Sequence, residues 1–228
     1  MANKIAYLGD IHGDLNVVVK VSDRLDNFSI VQVGDFGIGM MNKESELLER
    51  VNERLVVNDN TLYIIRGNHD NPNVWDNPPK YSNIVFVKDF DVLTIDGLVH
   101  LFIGGAISID RKHRKLGYSY WDNEGVPFID PVRFDELDVD VIVTHTAPIT
   151  TPPFGFDSLV HHYAMNDGNL YSDLQLERQM VTKVYDKFKG EKQIKWVYGH
   201  FHKTYQHEVD NFKFYGLNIN ELVDVIYI

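Results

Sequence analysis

The chain has 228 residues, a length that suits one domain, residues 1–228, with room for a substantial core. Its composition is 44% hydrophobic and 24% charged, with a formal charge of −11 and no cysteine. This excludes disulfides and thiolate metal sites, and it disfavours broad binding to extended nucleic acid or an anionic membrane. No apolar run approaches the roughly 18–20 residues that span a bilayer. Met1-Ala2-Asn3-Lys4 passes into a strand-like run with no signal-peptide core, so a cytoplasmic protein is expected.

The first half alternates strand and helix patterns. Ile5–Leu8 reads as a buried strand, and Leu15–Leu25 has helical period with Asp14 placed as N-cap. Ile30–Val33 is a second strand, Ser45–Val57 an amphipathic helix, and Leu62–Ile65 a third strand. Such a rhythm predicts a partly parallel sheet with right-handed crossovers. Further on, Ile84–Val87, Asp91–Ile95 and Leu98–Ile103 read as short strands, with Asp96-Gly97 as a hairpin turn. Val139–Val143 is a buried strand, and residues 146–171 read as irregular. Ser172 with Gln175 resembles a capping box opening a helix to about Lys189. Ile194–Tyr198, Phe212–Leu217 and Val223–Ile228 complete the strands. Fewer helices join the later strands, which predicts a second, more antiparallel sheet packed on the first with helices outside.

Five motifs stand against this pattern: Gly9-Asp10-Ile11-His12-Gly13, Gly34-Asp35, Gly67-Asn68-His69-Asp70, Thr144-His145 and Gly199-His200-Phe201-His202. Four of them follow a strand-like run, so a sheet would deliver their side chains to the crevice beyond its carboxyl ends. Asp10 and His12 are two apart, and in extended chain such residues point the same way and can converge on one ion. His200 and His202 repeat that spacing. Burying so many polar groups unpaired would cost several kcal/mol, and bound metal accounts for them. Oxygen and imidazole ligands suit Mn, Fe, Zn, Co or Ni better than Ca.

Together the motifs resemble those of the calcineurin-like metallophosphoesterase superfamily, whose pattern is D-x-H, G-D, G-N-H-D/E, a later H, and G-H-x-H. All five blocks occur in order across residues 9–202. The resemblance, to the small bacterial and phage type related to the serine/threonine protein phosphatases, implies an α/β (α+β) fold. It is a four-layer αββα sandwich of two mixed sheets flanked by helices. It implies two divalent transition-metal ions, Mn foremost, one held by Asp10, His12, Asp35 and His202. The other would be held by Asp35, Asn68, His145 and His200, with Asp35 bridging. A metal-bridging hydroxide would then attack a small phosphate ester or nucleotide. His69, beside Asn68, is the candidate general acid. Asp70 would orient His69 or tie down the loop, and Arg66 would contact substrate phosphate or pair with a nearby carboxylate. The alternatives are a non-catalytic metal-binding scaffold of the same fold, though such chains show decayed ligands and these are intact, and within the enzyme class a protein phosphatase.

The chain departs from the protein phosphatases after the second strand. Their G-D-x-V-D-R-G becomes Gly34-Asp35-Phe36-Gly37-Ile38-Gly39, so Ile38 and Gly39 replace an Asp that supports the catalytic His and a phosphate-binding Arg. A replacement cation would come from Arg66, Arg111 or Arg114. The run Arg111–Lys115 is either a solvated loop or a substrate-phosphate contact. Residues 104–124 follow a strand with a Gly pair and should turn toward the site. Their Tyr118, Tyr120 and Trp121 would stack a nucleobase or pack beneath the loop. His161-His162 would be a third-metal or substrate contact on a lid over the site or part of a plain surface loop, and His100, His113 and His207 carry no assigned role.

Overall fold

The protein is described by a computed structural model that covers residues 4–41 and 43–224. Strands β1 (Ile5–Leu8), β2 (Ser29–Gln32), β3 (Thr61–Ile64) and β4 (Ile84–Phe86) run parallel side by side. Helices α1 (Leu15–Ser22) and α2 (Glu44–Val57) cross between the first three. Helix α1 buries Leu15, Val18 and Val21 on one stripe, and Asp14 caps it by accepting from the Asn16 amide. It stops before Leu25 because the Ser22 carbonyl accepts from the side-chain amides of Asn58 (2.9 Å) and Asn60 (3.2 Å) instead of a following turn.

The second sheet contains β5 (Val92–Ile95), β6 (Leu98–Ile103), β7 (Val141–Thr144), β8 (Ile194–Tyr198), β9 (Tyr205–Val209) and β10 (Phe212–Gly216). Its order is β5-β6-β7-β8-β10-β9. The edge pairs β5–β6 and β9–β10 are antiparallel, but the interior is parallel, so the sheet is mixed rather than mainly antiparallel. Asp96 and Gly97 both take positive φ, 45° and 80°, as a two-residue hairpin turn requires.

Period-two alternation builds the layers. Val141 and Val143 of β7 face Tyr7, Val31, Val33 and Val197 between the sheets, while Ile142 faces outward. Helix α4 (Leu170–Phe188) covers that outer face with Val181, Val184, Tyr185 and Phe188, and α1 and α2 cover the other sheet. The αββα sandwich is therefore present.

Three expectations need correction. Ser172 does not cap α4: the helix begins at Leu170, and the Ser172 hydroxyl donates to the Asn169 carbonyl within the first turn. Residues 146–171 are not wholly irregular, since they include α3 (Ser158–Ala164), capped by Asp157. Strand β9 alternates half-buried Tyr205, His207 and Val209 with exposed Gln206 and Glu208, and it was not among the predicted strands. The final strand, β11 (Leu222–Asp224), pairs antiparallel with β1, and the rest of the anticipated Val223–Ile228 strand lies outside the described residues, as do Met1–Asn3. Among the described residues, no helix is long and apolar enough to cross a membrane.

Candidate metal centre

The loops after β1, β2 and β3 interlock through their backbones. The amides of Ile11 and His12 donate to the Asp35 carbonyl, and Gly13 donates to that of Phe36. Asp70 joins the second loop to the third, accepting from the amides of Phe36 (3.2 Å), Gly37 (2.7 Å), Ile38 (2.8 Å) and Gly67 (2.7 Å). Of the two roles open to Asp70, this is the loop tie. The His69 amide donates to Asp35 Oδ1 at 2.7 Å and fixes that carboxylate.

Two donor groups meet at Asp35. In the first, ligand atoms of Asp10, His12, Asp35 and His202 all lie within 4.8 Å of one another. In the second, Asn68 Oδ1 lies 3.1 Å from His145 Nε2 and 2.9 Å from His200 Nδ1, and His145 Nε2 is 3.2 Å from Asp35 Oδ1. His145 Nδ1 lies 2.8 Å from the Val33 carbonyl, a donation that turns Nε2 into the site. The Asn68 amide nitrogen donates to Ser108 Oγ at 3.0 Å, which leaves its oxygen facing the histidines. Ser108 in turn donates its own amide to Glu124 Oε1 at 2.7 Å. This orienting pair was missed, because nothing in the sequence ties Ser108 or Glu124 to the motifs.

The convergence does not arise from extended i, i+2 spacing. His12, Asp35, His200 and His202 have φ of 46°, 56°, 68° and 52°. Left-handed backbone at four non-glycine residues costs on the order of 1–3 kcal/mol each and concentrates at functional sites. These turns send His200 and His202 into different donor groups. His202 Nε2 sits 3.2 Å from Asp10 Oδ2, while His200 sits at Asn68.

The charges call for cations. Asp10 and Asp35 are buried, and among the described residues their ion pairs are to histidines alone. Burial works against ionised Asp35, yet His145, His69 and His12 hold it well below the usual carboxylate range. Burial also opposes a charged His145, but Asp35 outweighs it and raises His145 to about 9. Burial lowers His12, and it lowers His200 well below the ordinary histidine value. A divalent cation supplies for both carboxylates the compensation that one protonated imidazole supplies for Asp35, so the donor set fits such ions.

A family model described as calcineurin-like phosphoesterase matches residues 3–204. The chain belongs to that family. The chain is similar to a conserved uncharacterized protein, titled a predicted phosphoesterase, from Streptococcus pneumoniae TIGR4, at 14% identity and TM-score 0.36. The match covers 96% of this chain and 74% of the other. It is also similar to phosphopantetheinyl hydrolase from Mycobacterium tuberculosis at 13% identity and TM-score 0.49, covering 96% and 92% of the two chains. No curated protein matches the chain in sequence.

In this family member the candidate arginines separate cleanly. Arg66 does not face the ligands: it is buried against Asp89 (2.8 Å) and the carbonyls of Glu124 (2.8 Å) and Gly125 (3.0 Å), so its fork is already filled. Arg111 is held by Asp167 (2.5 Å) and Asp173 (2.6 Å). Arg114 reaches the site, its Nη2 donating to His69 Nε2 at 2.6 Å while its Nε pairs with Asp110 at 2.6 Å. Burial, opposed by Asp35 and assisted by Arg114, lowers His69 to about 4. The segment bearing Arg114 turns toward the site as anticipated, anchored by Gly104 on Asp89, Gly105 on the Arg66 carbonyl and Ile107 on Glu177.

A cavity of about 740 Å³ opens beside Asp35, Asn68, His69 and His200. Tyr118, Tyr120 and Trp121 do not line it; Trp121 is buried and Tyr118 lies under Lys115 at the surface. His161 is bonded to Tyr171 (2.6 Å) and His162 packs on Tyr163, and neither lines the cavity. His113 packs on Tyr163 and His207 on Phe154, whereas His100 is buried between the sheets.

Proposed function

We propose that the chain hydrolyses a small phosphate ester or nucleotide at a dinuclear divalent-metal centre. One ion is held by Asp10, His12, Asp35 and His202, the other by Asp35, Asn68, His145 and His200. The observation that carries this reading is the place of Asp35 between two donor groups, with Oδ1 3.2 Å from His145 Nε2 and Oδ2 3.8 Å from His12 Nδ1. Ions held there, Mn²⁺ first and Fe, Zn, Co or Ni by the same ligand chemistry, supply Lewis acidity toward phosphoryl oxygens and acidify water near neutral pH.

The chain's own residues do the rest. Asn68 is a neutral ligand and limits the negative charge facing an incoming phosphate. Arg114 is the cation that replaces the one lost at Gly39. An arginine could not stand at Gly39, where φ is +83° and a side chain would run into Asn71. The Arg114 fork turns from His69 to the phosphoryl oxygens. The attacking water's oxygen bonds to phosphorus and gives up a proton, the ester P–O bond breaks, and His69 relays a proton to the leaving alkoxide, so one proton is released and one taken up. Exhaustive chelation should abolish hydrolysis of an aryl phosphate, and Mn²⁺ should restore it with two ions per chain by elemental analysis. Hydrolysis that survives chelation overturns the reading.

A further inference from the structure

The cavity beside the metal centre is far larger than a phosphoryl group, and away from the ligands its wall is apolar. Phe154, Leu159, Val160, Tyr163, Phe201 and Tyr205 form much of it, with Pro152 and Pro153 behind. Its volume of about 740 Å³ falls in the range that takes a ligand of drug size. Leu159 and Phe154 stand 52% and 67% exposed, an apolar surface with no covering element among the described residues.

The two buried charged groups of the wall, Arg178 and Glu177, are committed elsewhere. Arg178 donates to the carbonyls of Ala147 (3.1 Å), Pro148 (2.7 Å), Thr151 (2.6 Å) and Pro153 (2.7 Å). Glu177 accepts from the amides of Ile107 and Val126, both at 3.0 Å. Lys203 lies 3.9 Å from Asp157 at the rim. A second phosphate or a polyol would find little to replace its water there. A flat apolar body would find aromatic faces and aliphatic edges.

We infer that this chamber seats the alcohol part of the phosphate ester, and that this part carries a flat aromatic body, an aryl ring or a nucleobase. The inference rests on the phosphoesterase reading, because the metal centre sets which end of the substrate is anchored. The chamber runs directly onto Asp35, Asn68, His69 and His200, so a substrate phosphorylated at that end would place its remainder against Tyr163 and Phe201.

The test uses the Mn²⁺-loaded protein and pairs that differ only in the aromatic body. Binding of 2-(2-naphthyl)ethylphosphonate and of ethylphosphonate is measured by calorimetry, with an adenosine-bearing phosphonate as a third arm. Hydrolysis of 2-(2-naphthyl)ethyl phosphate and ethyl phosphate, whose leaving alcohols have similar acidity, is measured beside it. At least about tenfold tighter binding of an aromatic phosphonate is expected, and the same factor in kcat/KM. The third arm tells a nucleobase from a hydrocarbon ring. Leu159→Asp, at an exposed position, should pull the ratio toward one, and Tyr163→Ala should do so by another route. Equal binding of all three phosphonates overturns the chamber assignment, even if both esters are hydrolysed. Aromatic preference in binding without hydrolysis of either ester upholds the chamber and overturns the hydrolase reading.

Discussion

Two rims of one cavity are built on opposite principles. On the ligand rim, the backbone itself is the structure. A Cβ at Gly67 would come within 2.8 Å of His145 Nε2, one at Gly34 would meet the same ring, and four ligands sit in left-handed turns. On the facing rim, Leu159 and Phe154 lie open, 52% and 67% exposed. The first rim is over-determined and carries chemistry, while the second is permissive and carries selectivity. Substitutions on the first should act all or none. Substitutions on the second should regrade substrates and leave metal binding alone.

The sharpest break of that contrast is at Asp35. Asp35→Asn should lose at least one ion by elemental analysis and lower turnover by at least about a thousandfold, since the shared ligand is gone. Gly67→Ala, which changes no candidate ligand, should match it in lost metal, because the added methyl and Asp35 occupy the same space. Full metal content and turnover in Gly67→Ala would remove the claim that the rim is over-determined. His69→Ala separates proton handling from ligation within the same rim. A fall of about 10²–10⁴ in kcat with both ions retained is expected; lost metal would move His69 into the ligand set.

The next contrast is between two arginines. Arg114→Ala removes charged hydrogen bonds to substrate phosphate and should lower kcat/KM by roughly 10- to 100-fold, with a smaller stability loss than Arg66→Ala because it gives up one carboxylate and no buried carbonyl cluster. Arg66→Ala takes from Asp89 its ion pair and from the carbonyls of Glu124 and Gly125 their side-chain donor. It should cost about 3–5 kcal/mol in urea unfolding. Reversed results would return Arg66 to the substrate and make Arg114 structural.

The sequence made the ligand rim legible and the facing rim not, for a physical reason. Strand exits with Asp, Asn and His, most of them in Gly-containing motifs, are local signals, so Asp10, His12, Asp35, Asn68, His145, His200 and His202 could be named as candidate ligands without coordinates, and the fold brings them together. The way they converge could not be read, because left-handed φ at His200 and His202 leaves no trace in residue spacing. Arg66 and Arg114 look equivalent in sequence; only the third dimension gives one to Asp89 and the other to His69. Helix α3 lies between prolines and glycines that masked its pattern, and its role as a wall depends on where residues 146–157 lead it. Ser108 and Glu124 act through one hydrogen bond each, which no local motif records.

A third region shows what polar burial looks like when no cation is needed. Between the sheets, Tyr7 donates to His100 Nε2 at 2.6 Å, and His100 Nδ1 lies 2.9 Å from the Leu98 carbonyl. Every polar atom of the ring is satisfied by a neutral partner, and burial lowers His100 from 6.5 to about 4. At pH above 6.5 both folded and unfolded states hold it neutral, and its contribution is fully present. As pH falls from 6.5 toward 4, the unfolded chain takes up a proton that the folded one refuses, so stability is lost at about 1.4 kcal/mol per unit. Between pH 7 and pH 5 that amounts to about 2 kcal/mol. Replacing both partners, Tyr7→Phe with His100→Phe, removes the titration without leaving an orphaned hydroxyl, and should be nearly neutral at pH 7. Urea unfolding of the two proteins should therefore diverge from pH 7 to pH 5, with the native protein weakening more. Parallel curves would mean that the ring is not held neutral in the fold, and the contrast with the cation-dependent cluster at Asp35 would fail.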